Sequence, residues 1–148
     1  MISENVKLGN NVKIPYPNLV NLYGCEIGDE VFIGPFVEIQ KGAKIGARTR
    51  ISSHSFICEG VNIGQDCFIA HGVMFINDKF SEEKGKWVLK KTDVGNNIRI
   101  GSNATILPVK IKDNVIIGAG SVVTKDISEN TTVMGNPARE KIGSGGNR

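Results

Sequence analysis

Two polar side chains, Glu59 and Asn77, have the types and the spacing to hold a primary amine. They are 18 residues apart, and each follows by two positions a large apolar residue (Ile57, Phe75) of a six-residue repeat. If three hexads make one coil, the two side chains stack on the same face about 4.8 Å apart, one strand spacing. A carboxylate over a carboxamide can accept the hydrogens of an amine and aim its lone pair. The alternative is that both are ordinary polar residues at a corner, with Asn77 beginning a turn.

The two histidines are the competing candidates for acid–base chemistry. Imidazole titrates near neutral pH, so His54 or His71 could deprotonate an amine. Their numbers differ by 17, so they do not share the register that joins Glu59 to Asn77. We therefore favour a structural or interface role for His71 over a catalytic one. A zinc hydratase needs three imidazoles at each metal, and without a close histidine pair we expect no metal site.

The elements that position these residues follow from the repeat. An aliphatic or aromatic residue returns at every sixth position from 27 to 75, and the repeat resumes at 94. Residues two positions earlier are small or β-branched, and both sets point inward because strand side chains alternate between faces. Sandwich strands vary in length and helices space apolar residues by three or four, so the pattern favours a parallel β-helix. The large residues are Ile27, Ile33, Ile39, Ile45, Ile51, Ile57, Ile63, Ile69, Phe75, Val94, Ile100, Ile106, Ile111, Ile117 and Val123.

One domain over residues 1–148 is expected, built from roughly eight coils. Residues 1–26 carry a looser repeat broken by two prolines and predict an N-terminal cap and first coil, since terminal repeats must stop the stack from growing. A frayed tail is predicted for 140–148, which is rich in glycine.

One long segment, about 77–93, abandons the hexad and contains the only tryptophan, Trp87. A long excursion from a strict solenoid is more often functional than accidental. The alternative is a surface loop in which Trp87 and Leu89 pack back for anchorage.

Composition excludes several function classes. The first residues lack the basic start and apolar core of a signal peptide, and no apolar stretch is long enough to cross a bilayer. We therefore expect a cytoplasmic protein without membrane association. A net charge of +3 is too small to indicate nucleic-acid binding but suits anionic small molecules. Three cysteines are an odd number, and Cys25 and Cys67 fall in inward positions, so they are predicted to be core residues.

The closing section resembles that of the hexapeptide-repeat acyltransferases. The resemblance lies in Ile-Gly-Ala-Gly-Ser-Val-Val-Thr-Lys-Asp-Ile at 117–127 and Val-Met-Gly-Asn-Pro-Ala-Arg at 133–139. It implies an all-β, left-handed parallel β-helix, a homotrimer with sites between neighbouring prisms, and acetyl-CoA as donor. Small residues leave backbone groups open to a pantetheine arm, and basic side chains meet phosphates. The implied coenzyme residues are Ser102, Ala119, Gly120, Lys125, Asn136, Pro137 and Arg139, with Lys141 as a further cation.

A second region is similar to one branch of that family, the N-acetyltransferases acting on the 3-amino group of nucleotide-linked sugars. Its most specific strings are Phe-Ile-Cys-Glu-Gly-Val at 56–61 and Gly-Val-Met-Phe-Ile-Asn-Asp at 72–78. The resemblance implies that Glu59, Asn77 and Asp78 surround the reacting amine and that no histidine need act as base.

The substrate stays open between two kinds of nucleotide sugar. The long segment has Lys79, Lys84, Lys86, Lys90 and Lys91 but no arginine, the better bidentate partner for a carboxylate. This favours a dTDP-linked 3-amino-3,6-dideoxyhexose over a UDP-linked 3-amino-hexuronate. The product of either would enter a surface polysaccharide or a glycan. The remaining alternatives are a histidine-dependent O-acetyltransferase and a noncatalytic trimeric scaffold.

Overall fold

The computed structural model describes residues 1–80 and 85–142. Its strands are short and stack into three parallel sheets that form the walls of a β-solenoid. Face A contains β2 (Asn21–Leu22), β5 (Glu38–Ile39), β8 (Phe56–Ile57), β11 (Met74–Phe75), β14 (Thr105–Ile106) and β17 (Val122–Val123). Face B contains β1 (Lys7–Leu8), β3 (Glu26–Ile27), β6 (Lys44–Ile45), β9 (Val61–Ile63), β12 (Thr92–Val94) and β15 (Lys110–Ile111). Face C contains β4 (Phe32–Ile33), β7 (Arg50–Ile51), β10 (Phe68–Ile69), β13 (Arg99–Ile100), β16 (Ile116–Ile117), β18 (Thr132–Met134) and β19 (Arg139–Glu140).

The hexad register is confirmed in the pairing of the strands. Repeat residues lie beside repeat residues of the next coil, as in Ile39 beside Ile57 and Ile45 beside Ile63. These side chains are buried in one continuous core. The small inward positions are buried as well, and Thr49 Oγ1 donates to the carbonyl of Gly64 at 2.9 Å. The solenoid has six or seven coils, fewer than the eight expected, because the excursion and the two ends take residues from the repeat.

Three corners connect the faces, and left-handed backbone occurs at all of them, at the corner from face A to face B in Gly24, Gly42 and Gly60. At the corner from face B to face C, every coil places a residue at positive φ, including Arg48 (58°) and Asp66 (57°). At the corner from face C to face A, His54 (64°) and Gly120 (69°) have the same conformation. Asparagine and glycine tolerate this region best, which explains their frequency at these corners.

The excursion leaves face A after β11 and rejoins face B at β12. The N–H of Lys90 donates to the carbonyl of Asn77 at 3.1 Å and closes its base. Leu89 packs against Gly60, where an added Cβ would lie 3.1 Å from Leu89 Cδ1. Trp87 is 59% exposed, so only Leu89 fulfils the anchoring role predicted for both. Strand β12 begins at Thr92, two residues before the predicted resumption of the repeat at 94, and Lys84 lies outside the described residues.

The two ends close the stack differently. Residues 1–26 already form a coil, since β1 pairs with β3 and Ile2 bridges to Leu22. This coil includes a short 3-10 helix, Pro17–Leu19. At the other end β19 pairs antiparallel with β18, which prevents a further parallel strand from adding there. The predicted frayed tail lies largely outside the described residues, which end at 142. No helix within the described ranges is long and apolar enough to cross a membrane.

The cysteines yield a direct test of the packed interior. Cys25, Cys58 and Cys67 are buried free thiols, which confirms the prediction for Cys25 and Cys67. Burial raises the pKa of all three, and that of Cys58 to about 11. Because only the thiolate is reactive, we expect no reaction of the native protein with Ellman's reagent at pH 8, and three equivalents after unfolding. Rapid labelling of the native protein would contradict this packing.

Candidate active site

Glu59 and Asn77 lie on adjacent coils at the corner between faces A and B, where the excursion departs. Each follows its face A strand by two residues, and those strands, β8 and β11, pair in parallel. The Asn77 side-chain amide donates to the backbone carbonyl of Glu59 at 3.1 Å. The predicted stacking of the two residues is therefore present, but the amide bonds the backbone of Glu59 rather than its carboxylate.

The Glu59 carboxylate is available for a ligand. Its side chain is 31% exposed, and Lys41 Nζ lies 3.9 Å from Oε2. Within the described residues no hydrogen bond donor reaches either carboxylate oxygen. The Oδ1 atom of Asn77 is free of described donors as well, because the bond to Glu59 uses Nδ2. Two acceptors on neighbouring coils thus border the same corner.

Asp78 follows at the mouth of the excursion. Its Oδ1 accepts the backbone N–H of Phe80 at 2.8 Å, an Asx-type turn that directs the chain away from the solenoid. One carboxylate oxygen of Asp78 therefore supports the loop, and the other remains for a ligand.

This corner also has two lysines, Lys41 and Lys125, in register with Glu59 and Asn77. Lys41, Glu59 and Asn77 occupy equivalent positions on three successive coils, and Pro108 and Lys125 continue the series through β14 and β17. Lys125 is two strand spacings, about 10 Å, from Asn77.

Lys125 lies beside a cleft of about 210 Å³ at the C-terminal end of the solenoid. Arg139 lines the same cleft, so the structure brings two of the predicted phosphate-binding cations together. Asp126 and Glu140 also line it and reduce its net positive charge.

The other predicted coenzyme residues lie elsewhere. Ser102, Ala119 and Gly120 are at the corner between faces C and A, where the N–H of Gly120 donates to the carbonyl of Ser102 at 2.8 Å. A Cβ added at Gly120 would meet nothing within 4 Å, so this backbone faces open space. Six residues separate Ser102 from Pro108 along β14, about 20 Å. One chain therefore does not bring these residues next to Glu59.

Asn136 and Pro137 form the turn between β18 and β19. The next residue, Ala138, donates its N–H to the carbonyl of Val122 at 2.8 Å. This turn thus covers the last strand of face A and borders the cleft that Arg139 lines.

Both histidines belong to the corner between faces C and A. His71 is one coil from Ser102, and its Nδ1 lies 2.8 Å from Ser53 Oγ. The His54 ring packs against Phe36 with centroids 4.9 Å apart. Neither lies at the corner of Glu59. Ser53, and not His54, is the neighbour of His71 on the preceding coil, so the two histidines do not share one register, as their spacing predicted.

Sequence reasoning missed a polar cluster beside Glu59. Glu38 accepts hydrogen bonds from Tyr23 Oη at 3.0 Å, Asn21 Nδ2 at 3.2 Å and Gln40 Nε2 at 3.3 Å. Gln40 Oε1 in turn accepts the backbone N–H of Glu59 at 3.1 Å. The detectable signal is the alternation of β2 and β5, which turns these four polar side chains to the outside of face A.

The repeats, the three-walled solenoid and the corner site define the class of protein. Residues 24–59 match the family model described as bacterial transferase hexapeptide (six repeats). Residues 91–125 match that of the hexapeptide repeat of succinyl-transferase. The chain is a hexapeptide-repeat protein.

Particular relatives are similar in sequence and in structure. The bifunctional protein GlmU of Streptococcus uberis is 34% identical over 113 residues, 76% of this chain and 23% of that protein. This chain thus spans about a quarter of that relative. The galactoside acetyltransferase in complex with coenzyme A is 30% identical, with a TM-score of 0.71 over 84% of this chain and 65% of that one. A mutant of AntD, an N-acyltransferase from Bacillus cereus in complex with dTDP and coenzyme A, has a TM-score of 0.80. It is 20% identical, over 91% of this chain and 82% of that one, and shows the shared fold.

Proposed function

We propose that the protein is an acetyl-CoA-dependent N-acetyltransferase acting on the 3-amino group of a nucleotide-linked sugar. The observation that carries the proposal is the Glu59–Asn77 pair, two acceptors on adjacent coils beside the excursion that meet no hydrogen-bond donor among the described residues, with Lys41 Nζ 3.9 Å from the carboxylate. Support comes from AntD, an N-acyltransferase of the same fold that binds dTDP and coenzyme A. In this proposal residues 1–148 act as one catalytic unit in the cytoplasm.

The residues of this corner need only position a neutral amine. Acetyl-CoA, when bound, supplies a thioester that a neutral amine can attack. Glu59 and Asn77 Oδ1 accept the two amine hydrogens, so the nitrogen lone pair points away from them. Such positioning can provide much of the rate enhancement. The amine proton lost on forming the amide leaves with the coenzyme thiol, so no histidine base is required.

The coenzyme residues support a homotrimer. Because one chain leaves Ser102 and Gly120 about 20 Å from the amine corner, a site that uses both sets needs a second subunit. On the walls of the solenoid, exposed apolar side chains lie mainly on faces A and C and at the corner between them. Within the described part of the chain face B has one, Leu8 at the N-terminal end, and its other outward positions are polar or charged. The apolar set is Phe36, Phe68, Met74, Ile116 and Met134. Packing of face A on face C of a neighbour would bury them.

The best substrate is a dTDP-linked 3-amino-3,6-dideoxyhexose, with a UDP-linked 3-amino-hexuronate as the alternative. The described cations of the excursion are lysines, including Lys79 and Lys90, which suit a diphosphate as point charges but not bidentate recognition of a hexuronate carboxylate. The dTDP bound to AntD agrees with this choice.

A histidine-dependent O-acetyltransferase is the second candidate, and one observation favours it. Ser53 Oγ fixes His71 Nδ1 at 2.8 Å and leaves Nε2 directed elsewhere, the arrangement of an oriented general base. His71 also lies one coil from Ser102, a predicted coenzyme residue.

Thiol release from acetyl-CoA, measured with both amino-sugar nucleotides and with a galactoside, separates these functions. We expect turnover with the dTDP-linked sugar, an amide in the product by mass spectrometry, and near wild-type turnover in His71→Ala. Acetylation of a hydroxyl together with loss of turnover in His71→Ala would favour the second candidate. The absence of thiol release with every acceptor would contradict both enzymatic functions and favour a noncatalytic scaffold.

A further inference from the structure

Glu59 is held through its backbone by two side chains from the neighbouring coils. Its N–H donates to Gln40 Oε1 at 3.1 Å, and its carbonyl accepts Asn77 Nδ2 at 3.1 Å. Elsewhere along the walls, backbone groups of successive coils bond one another directly, as between Gln40 N and the carbonyl of Ile57. At Glu59 the chain turns from face A, and side-chain amides take the place of the ladder. The direction of the Glu59 carboxylate therefore depends on both amides.

Gln40 is itself fixed by the polar cluster. Its Nε2 donates to Glu38 Oε1 at 3.3 Å, which leaves Oε1 of Gln40 pointing at Glu59. Glu38 is oriented in turn by Tyr23 Oη at 3.0 Å and Asn21 Nδ2 at 3.2 Å. Partial burial and the hydrogen bond to Glu38 raise the pKa of Tyr23, so its phenol remains a donor at neutral pH. All four side chains are partly buried, which limits competition from water.

We propose that Gln40, oriented by Glu38, is a positioning residue that aims Glu59 at the amine of the acceptor sugar. This inference rests on the proposed N-acetyl transfer. Gln40 acts only through Glu59, whereas Asn77 also offers its own acceptor to the amine. The hydrogen bonds between Glu38 and Gln40 and between Gln40 and Glu59 are called the relay below. An error of about 1 Å in a positioned group can cost a factor of 100 in rate, so the relay has a measurable effect without touching the substrate.

A double-mutant cycle tests the relay. Gln40→Met removes both polar contacts at similar volume, and we expect kcat/KM for the amino sugar to fall about 10- to 100-fold. The KM for acetyl-CoA should be unchanged. In a Glu59→Ala background the same substitution should change kcat/KM less than about twofold, because there is no carboxylate left to aim. Gln40→Glu keeps an acceptor for the Glu59 N–H but replaces the donor to Glu38 by a second carboxylate, so it should not recover the loss.

Gln65→Met is the matched control, since Gln65 is hydrogen-bonded to Arg48 at the corner between faces B and C. It should retain wild-type kinetics. If Gln40→Met is poorly folded, Glu38→Gln disturbs the same relay more gently and should also lower kcat/KM. Wild-type kinetics in Gln40→Met, or equal losses with and without the Glu59 carboxylate, would overturn the relay while the proposed function stands. Absence of amine acetylation by the wild type would overturn both.

Discussion

Replacing Glu59 by alanine is expected to lower kcat/KM for the amino sugar on the order of 100- to 1,000-fold. The substitution removes the carboxylate that accepts an amine hydrogen. It leaves the fold intact, because the bonds from Gln40 and Asn77 go to the Glu59 backbone. Asn77→Ala should cause a loss of similar size, since it removes an acceptor for the amine and the donor to the Glu59 carbonyl. Initial rates of thiol release at varied acceptor and donor concentrations measure both effects.

Glu26→Ala is the control for this prediction. Glu26 is an exposed glutamate on face B, between Lys7 at 3.5 Å and Lys44 at 3.9 Å. Exposed ion pairs contribute little to stability, so this variant should keep wild-type activity and unfolding temperature. If Glu59→Ala retained more than about a tenth of wild-type kcat/KM, the amine would not lie against this carboxylate.

Replacing Phe68 by glutamate is expected to dissociate the proposed homotrimer and to abolish activity at the same time. Phe68 is the outward residue of β10 on face C, and 42% of it is exposed in the single chain. The new carboxylate would lie between Arg50 and Arg99 of face C, but even a paired charge is costly to desolvate in an apolar interface, and the phenyl ring is lost from that interface. The mass from light scattering should fall from three subunits to one, while the circular dichroism of the solenoid remains.

Asn62→Glu serves as the matched substitution on the same coil. Asn62 is the outward residue of β9 on face B and lies between Lys44, which can compensate the new charge, and Asp93, whose bond from Asn62 Nδ2 is solvent-exposed and is lost at little cost. Its mass and its turnover should equal those of the wild type. A wild type that is already monomeric and active, or a monomeric Phe68→Glu with full turnover, would refute a site shared between subunits.

These two substitutions separate the chemistry from the assembly. Glu59→Ala should remain a trimer and lose turnover, whereas Phe68→Glu should lose both.

Mixing Glu59→Ala with Gly120→Trp, which fills the open backbone corner, should restore part of the activity if the site spans two subunits. Lack of any recovery in mixed trimers would place both residue sets in a single-chain site.

The solenoid and the register of its candidate site follow from the pattern of amino acids alone. A period of six with a large and a small inward residue admits one way of stacking coils, so Ile57 and Phe75 had to lie one coil apart. Glu59 and Asn77 then had to share a corner, and the loss of the period after residue 76 placed the excursion there. These properties are decided by burial along the chain, which a periodic pattern records directly.

The hydrogen-bond partners of the corner side chains, by contrast, become visible only in the folded chain. The Asn77 amide donates to the backbone carbonyl of Glu59 and not to its carboxylate. The side chain of Gln40, on the preceding coil, accepts the backbone N–H of Glu59. The folded chain also places Ser102 and Gly120 at the opposite end of the face A strands from Lys125. Periodicity states which coil and which face a residue occupies, but it carries no information about rotamers. Hydrogen bonds between corner side chains depend on those rotamers and on the exact turn of the backbone, and both are set by neighbouring coils.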